Sequence, residues 1–254
     1  MCWLQMSLFA RAFLKVYFKK NPGEQNSFTS LINKIMRNSI LFLLFLTGLT
    51  ACSNLETVEN KDDNGILKEK YSRRKDTLAK QGAYTSYYPN GQVFEQSWYE
   101  NDTLHGERKL YYENGKVQSI EQRDHDRFVG TYKRFYENGQ LSNEGQYVDN
   151  EMSGVWKRWY DTGELMEEIT FAHNEENGPF KEYYKNGQIK TEGEYVNGDN
   201  ENGILKKYDE TGQLFEKMYC EIGVCMTVWS KETGDVPLDS TRLRELVELK
   251  KRVL

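Results

Sequence analysis

Long apolar runs, basic charge, cysteine and histidine are all in short supply in this chain of 254 residues. The apolar segment at residues 40–49 has eight strongly apolar positions, too few to span a bilayer. Basic residues number 34 against 39 acidic ones, giving a formal charge of −5. Residues 1–51 carry six basic and one acidic side chain, so their removal takes the charge to −10. An acidic body of that kind excludes nucleic acid as a partner, because phosphates need a basic footprint. It also excludes broad electrostatic adhesion to an anionic membrane. No glycine-rich phosphate loop occurs, and no serine or cysteine has a recurrent basic partner, so no nucleophile, catalytic residue or cofactor site is assigned.

Repetition is what the chain has in place of a catalytic motif. A glycine recurs as Gly82, Gly106, Gly130, Gly154, Gly178 and Gly203, at steps of 24, 24, 24, 24 and 25 residues. A second column follows nine residues later, with Gly91, Gly115, Gly139, Gly163, Gly187 and Gly212, preceded four times by Asn and twice by Thr. A fixed period of this length marks one supersecondary unit repeated, each copy burying its apolar face against its neighbours. The runs between the columns are short and rich in aromatics. Asn-Gly between two such runs predicts a β-hairpin with a type I′ turn. The expected fold is therefore mostly β, an elongated array of about six to seven hairpins over residues 64–236.

Two adjacent aromatic columns precede the turn. The first holds Tyr87, Tyr111, Phe135, Trp159, Tyr183 and Tyr208; the second holds Tyr88, Tyr112, Tyr136, Tyr160 and Tyr184. An apolar column follows the turn, from Val93 and Val117 to Leu214. Columns filled in every copy read as a packing ladder. Adjacent strand positions point to opposite faces, however, so one aromatic column is expected to be exposed, and Tyr88, Tyr112, Tyr136, Tyr160 and Tyr184 are the candidate contact surface. Lysines three after the first glycine, and carboxylates after the turns, read as a solvated face that keeps the sheet edges soluble.

Gly-x-Trp-Lys-x-Trp-Tyr-x-x-Gly-x-Leu at residues 154–165, Tyr-Tyr-Lys-Asn-Gly-Gln-Ile at 183–189 and Gly-Glu-Tyr at 193–195 resemble the MORN repeat variant of bacterial proteins. The resemblance implies an extended array of β-hairpins used for interaction, with no catalytic residues to transfer. Many proteins of this kind are described as antitoxin-like, which implies a protein partner, a toxin in the specialised case. A glycan of the cell envelope, bound through stacked aromatics, is the alternative.

Both ends depart from the pattern. Residues 1–35 read as a mis-called upstream extension or an unusually long leader, with Met36 the better start. Residues 36–51 have the basic start, apolar stretch and small residues of a signal peptide. Leu49-Thr50-Ala51-Cys52 resembles the bacterial lipobox, which makes Cys52 the lipidated residue and places the protein on a membrane of the cell envelope by its acyl chains. Residues 52–63 read as an acidic tether without a packing pattern. Residues 237–254 predict an amphipathic helix that caps the array, with Asp239 or Ser240 at its start and Leu243, Leu246, Val247 and Val253 on one side.

Cys220 and Cys225 fall in core columns on consecutive strands, and a disulfide between them is expected in an oxidising envelope. No third soft ligand accompanies them, so they are not assigned to a metal. The histidines are His105, His125 and His173. His125 and His173 share a column but lie two copies apart, roughly 19 Å at ~4.8 Å per strand, too far for one ion. Residues 197–202 lack the ligand spacing of a calcium loop and read as a polar turn.

Overall fold

The computed structural model describes residues 54–253, with only the backbone of Val253. The leader, Cys52 and the first residues of the expected tether lie outside the described residues. The strands are β1 (Leu55–Lys61), β2 (Leu67–Arg74), β3 (Lys80–Tyr87), β4 (Val93–Glu100), β5 (Thr103–Leu104), β6 (Gly106–Tyr111), β7 (Val117–Asp124), β8 (Arg127–Phe135) and β9 (Leu141–Val148). They continue as β10 (Glu151–Trp159), β11 (Leu165–Ala172), β12 (Glu175–Tyr183), β13 (Ile189–Val196), β14 (Asn200–Tyr208), β15 (Leu214–Glu221), β16 (Val224–Ser230) and β17 (Gly234–Asp235), before the helix α1 (Ser240–Val253). All are antiparallel members of one 17-stranded sheet, a meander in which each strand pairs with its neighbour in sequence. β5 and β6 are two parts of one interrupted strand, and both pair with β4.

Two kinds of turn alternate along the meander. At residues 88–92 the Gln92 amide donates to the Asn90 side chain at 2.9 Å and Tyr88 N donates to Gln92 O at 2.8 Å. Of the Asn-Gly pair only the glycine has positive φ, 83° at Gly91, so this is a longer turn closed by a left-handed glycine and not the expected type I′ form. The type I′ geometry occurs on the opposite margin. There both central residues are left-handed, as in Asn101-Asp102, His125-Asp126, Asp149-Asn150 and His173-Asn174. Asn and Asp tolerate that conformation at modest cost, and the missing glycine hides these turns from a search for Asn-Gly.

Residues 55–61, expected as an unstructured tether, instead form β1. The partner strand explains this: Leu55 to Asn60 lie opposite Arg74 to Glu69 in register, with ion pairs Arg73–Glu56 at 2.7 Å and Lys70–Glu59 at 2.9 Å. The acidic residues that suggested a solvated linker are the complement of a basic neighbour.

Depth within the sheet differs from expectation at the columns that flank the turn. The columns from Tyr87 to Tyr208 and from Val93 to Leu214 are half-buried, because they flank the turn and sit at the margin of the sheet. Fully buried apolar side chains of the sheet stand mid-strand, two after the first glycine: Trp156, Phe180 and Leu205. Cys220 clusters with Phe180 and Leu205, with Ile169, Tyr195, Met218 and Cys225 packed around. Phe180 and Tyr195 stack at 4.0 Å. At the C-terminal end α1 packs on β16 and buries Leu243 and Val247, as the helical spacing predicts. Its cap is Asp239, whose carboxylate accepts the Arg242 amide at 2.9 Å.

The second copy departs from the aromatic pattern. Arg108 and Arg123 stand where other copies have aromatics, and they neutralise two buried carboxylates. Arg108 grips Glu95 with two bonds of 2.8 and 3.0 Å and Glu121 with a third of 3.0 Å. Arg123 holds the other oxygen of Glu121 at 2.5 Å and lays its guanidinium over the Phe128 ring.

Candidate functional site

The tyrosines at 88, 112, 136, 160 and 184 are half-buried, and each stitches its copy to the next. Their hydroxyls donate to Tyr111 O, Phe135 O, Trp159 O, Tyr183 O and Tyr208 O at 2.7, 2.7, 2.8, 3.1 and 2.8 Å. Asn90, Asn114, Asn138 and Asn186 repeat the device alongside, each donating to a carbonyl of the following turn. The column expected as an open contact surface thus has its polar handle committed inside the array. A Tyr one residue past a strand end meets the next copy's backbone because successive turns lie side by side along one margin.

On the opposite margin the type I′ turns are stitched in the same way. Asp102, Asp126, Asn150 and Asn174 each accept an amide 22 residues earlier, at Lys80, Leu104, Phe128 and Met152. The lysine column is paired as well: Lys133–Glu144 at 3.0 Å, Lys157–Glu168 at 2.8 Å and Lys206–Glu192 at 2.9 Å form one charged face. Hydrogen bonds from Lys206 and Tyr208 hold the Glu192 carboxyl below its ordinary value, and the Lys157 bond does the same for Glu168. Burial, then Glu168, pushes the Tyr183 hydroxyl up to about 12.

A cleft on that charged face runs between Lys181, Glu192 and Lys206, and two clefts with aromatic floors open on the other face. One of about 530 Å³ has Phe180, Tyr195, Leu205 and Met218 on its floor and Glu182 and Lys190 on its rim. A second, of about 420 Å³, has Trp156, Ile169 and Phe171 below and Glu176 and Asp199 above; Tyr195 lines both. Burial pushes the Tyr195 hydroxyl up strongly, and Glu176, Glu201, Glu182 and Glu167 add to it in that order. Glu176 is itself raised by burial and then by Asp199 and Glu167. Acidic groups therefore converge on one aromatic ring that they do not hydrogen-bond.

Cys220 and Cys225 lie opposite each other across the β15–β16 turn and are joined by a disulfide. Of the three histidines, His173 pairs with Glu151 at 2.6 Å, remote from the others. His105 and His125 come together, their rings 5.6 Å apart, with Asp124 between them. Sequence columns missed this pair because they compare like positions, whereas His105 sits in the break between β5 and β6 and meets the next turn from the side.

One antiparallel sheet of side-by-side hairpins, zipped along both turn margins and capped by a helix, defines a β-hairpin repeat protein. Within that class the chain belongs to the MORN repeat variant family, whose profile matches residues 80–101, 104–125, 128–149, 152–173, 176–197 and 201–219, just over half of the sequence. Each matched unit opens two residues before a glycine of the first column. No curated protein matches the chain. Solved structures that it is similar to include "Crystal Structure of TcdB2-TccC3 without hypervariable C-terminal region" at 14% identity and a TM-score of 0.15, and "Crystal Structure of TcdB2-TccC3-Cdc42" at 13% and 0.14. The matches cover 65% of this chain and 12% of theirs, and likeness at that level carries no argument.

Proposed function

We propose that this repeat protein is a noncatalytic interaction scaffold of the bacterial cell envelope, tethered by lipid on Cys52, that binds another protein on the face of its sheet whose clefts have aromatic floors. The observation that carries this reading is the single layer. Apart from α1, nothing among the described residues covers either face, and its cavities are open clefts between successive hairpins. A sheet that leaves aromatic rings half-covered on that scale offers contact area without a reaction chamber. The acidic groups around Tyr195 favour a partner that presents a basic side chain there.

The Cys220–Cys225 disulfide fits an oxidising compartment. Neutralising a toxin is the specialised form of the same reading. Glycan binding through the tyrosine column has less support, since those hydroxyls are already spent on backbone carbonyls.

Affinity capture from envelope extracts tests the proposal with the wild-type chain, a Glu176→Lys/Glu201→Lys variant and a Trp98→Ser variant on the opposite face. A partner held by the wild type and the Trp98 variant but lost from the cleft variant supports it. No partner, or one recovered equally by all three, overturns it. Metabolic labelling with palmitate tests the tether, the label being lost in Cys52→Ser.

A further inference from the structure

We propose that His105, Asp124 and His125 form a binding site for a first-row divalent cation, zinc foremost, on the type I′ turn margin of the second copy. Their ligand atoms all lie within 4.8 Å of one another. The Asp124 Oδ1 oxygen is 2.7 Å from His125 Nδ1 and 3.4 Å from His105 Nδ1. Zinc takes imidazole nitrogen and carboxylate oxygen at roughly 2.0–2.2 Å, so ligands about 3.5 Å apart can share one ion. Small rotations of two half-exposed rings close the remaining gap.

A second observation points the same way. The Nδ1 atom of His105 is shielded from solvent and has no hydrogen-bond partner, its approach to Asp124 falling outside hydrogen-bond geometry. A buried polar atom left without a partner is costly, and a cation shared with Asp124 and His125 would satisfy it. The carboxylate is also oriented from behind: Arg127 binds its other oxygen at 3.1 Å and reaches Asp149 at 2.9 Å, leaving Oδ1 turned toward the histidines. Support of a ligating carboxylate from outside is the usual construction of such sites.

The repeat supplies its own comparison. The three positions occur in every copy, but they hold Gln81, Glu100 and Asn101 in the first, Val129, Val148 and Asp149 in the third, Ser153, Ala172 and His173 in the fourth and Asn177, Val196 and Asn197 in the fifth. The sixth holds Asn202, Glu221 and Ile222, so the same backbone frame carries two imidazoles and a carboxylate in the second copy alone. Turn chemistry accounts for an Asn or Asp at the last position, not for a histidine beside another histidine and an aspartate. Two nitrogens and one oxygen suit zinc, nickel or copper better than calcium or magnesium. Three protein ligands also leave a coordination position for a further donor.

Calorimetric titration of the untagged full chain with zinc chloride tests the proposal, alongside His105→Gln, His125→Asn and His173→Asn. Asparagine at 125 keeps the left-handed turn, since Asn101 and Asn197 occupy the same position elsewhere. One zinc per chain is expected. Affinity should fall by about tenfold or more in each of the first two variants and stay unchanged in the third. Amide resonances of Gly106 and Asp126 should shift on zinc addition in the wild type and stay still in His125→Asn. Absence of submillimolar binding by the wild type, or binding that neither His105→Gln nor His125→Asn weakens, overturns it.

Discussion

Gly145 and Gly193 occupy ordinary extended backbone, so conformational freedom is not what requires glycine there. Space is. A Cβ on Gly145 would stand 2.1 Å from Trp156 Cδ2, and one on Gly193 would stand 2.8 Å from Leu205 Cδ1 and 3.0 Å from Phe180. The large residue on one strand lies flat over the bare backbone of the next, which is how a single layer buries Trp156 and Phe180 without a second sheet. Gly145→Ala must push the indole aside, and overpacking of that kind costs about 1–3 kcal/mol. Gly154 makes the contrast: its φ is 70° and a Cβ there meets nothing within 4 Å, so alanine costs only left-handed strain of roughly 1–2 kcal/mol. In urea titrations, crevice repacking should show as Trp156 fluorescence that is altered in folded Gly145→Ala and native in Gly154→Ala. An unaltered indole and wild-type midpoint in Gly145→Ala would refute the packing account.

At the scale of the element, the second copy trades aromatic packing for a closed ionic network, and its strands depend on that network more than the others depend on theirs. Glu95 and Glu121 are nearly inaccessible, so removing Arg108 leaves two buried charges with Arg123 alone to answer them. Loss of one partner from a buried pair typically costs ~3–5 kcal/mol, against ~0–1 kcal/mol for an exposed pair. Arg108→Ala should therefore lower the unfolding midpoint far more than Lys133→Ala, whose partner Glu144 stays in water. Equal effects would show that the network contributes no more than the surface pairs.

The same copy shows how far the sequence could be read. The glycine spacing announced the hairpins, and the apolar spacing after residue 237 announced the capping helix, because left-handed turns and helical periodicity leave local marks. Arg108 and Arg123 left none, since a lone arginine in an aromatic column looks like a surface substitution until its carboxylates are placed. Neither did β1, whose partner lies across a turn, nor His105 beside His125, which belong to different columns. For the tyrosines at 88 to 184 the sequence showed regularity, but the carbonyl that each hydroxyl meets lies 23 or 24 residues onward.

At the scale of the molecule, strands among the described residues contact little beyond their immediate neighbours, so stability is a sum of local terms and damage should stay near its origin. The Cys220–Cys225 disulfide offers the cleanest test. It closes a short loop at the β15–β16 turn, worth roughly 2 kcal/mol by the loop-entropy relation. β16 also carries α1, so loosening that hairpin loosens the cap. Reduction should raise amide exchange in β15, β16 and α1 by about thirtyfold, the equivalent of ~2 kcal/mol, and leave β8 to β10 as they were. In a globular domain folding as one unit, the same loss would spread over every slow amide, and a uniform rise here would show that the zipped margins couple all the copies into a single cooperative block. Exchange confined to the C-terminal end would instead mean that each copy answers mainly to its neighbours, so the cleft over Trp156, Ile169 and Phe171, which takes no residue from β15 or β16, should keep its geometry when the cap is open.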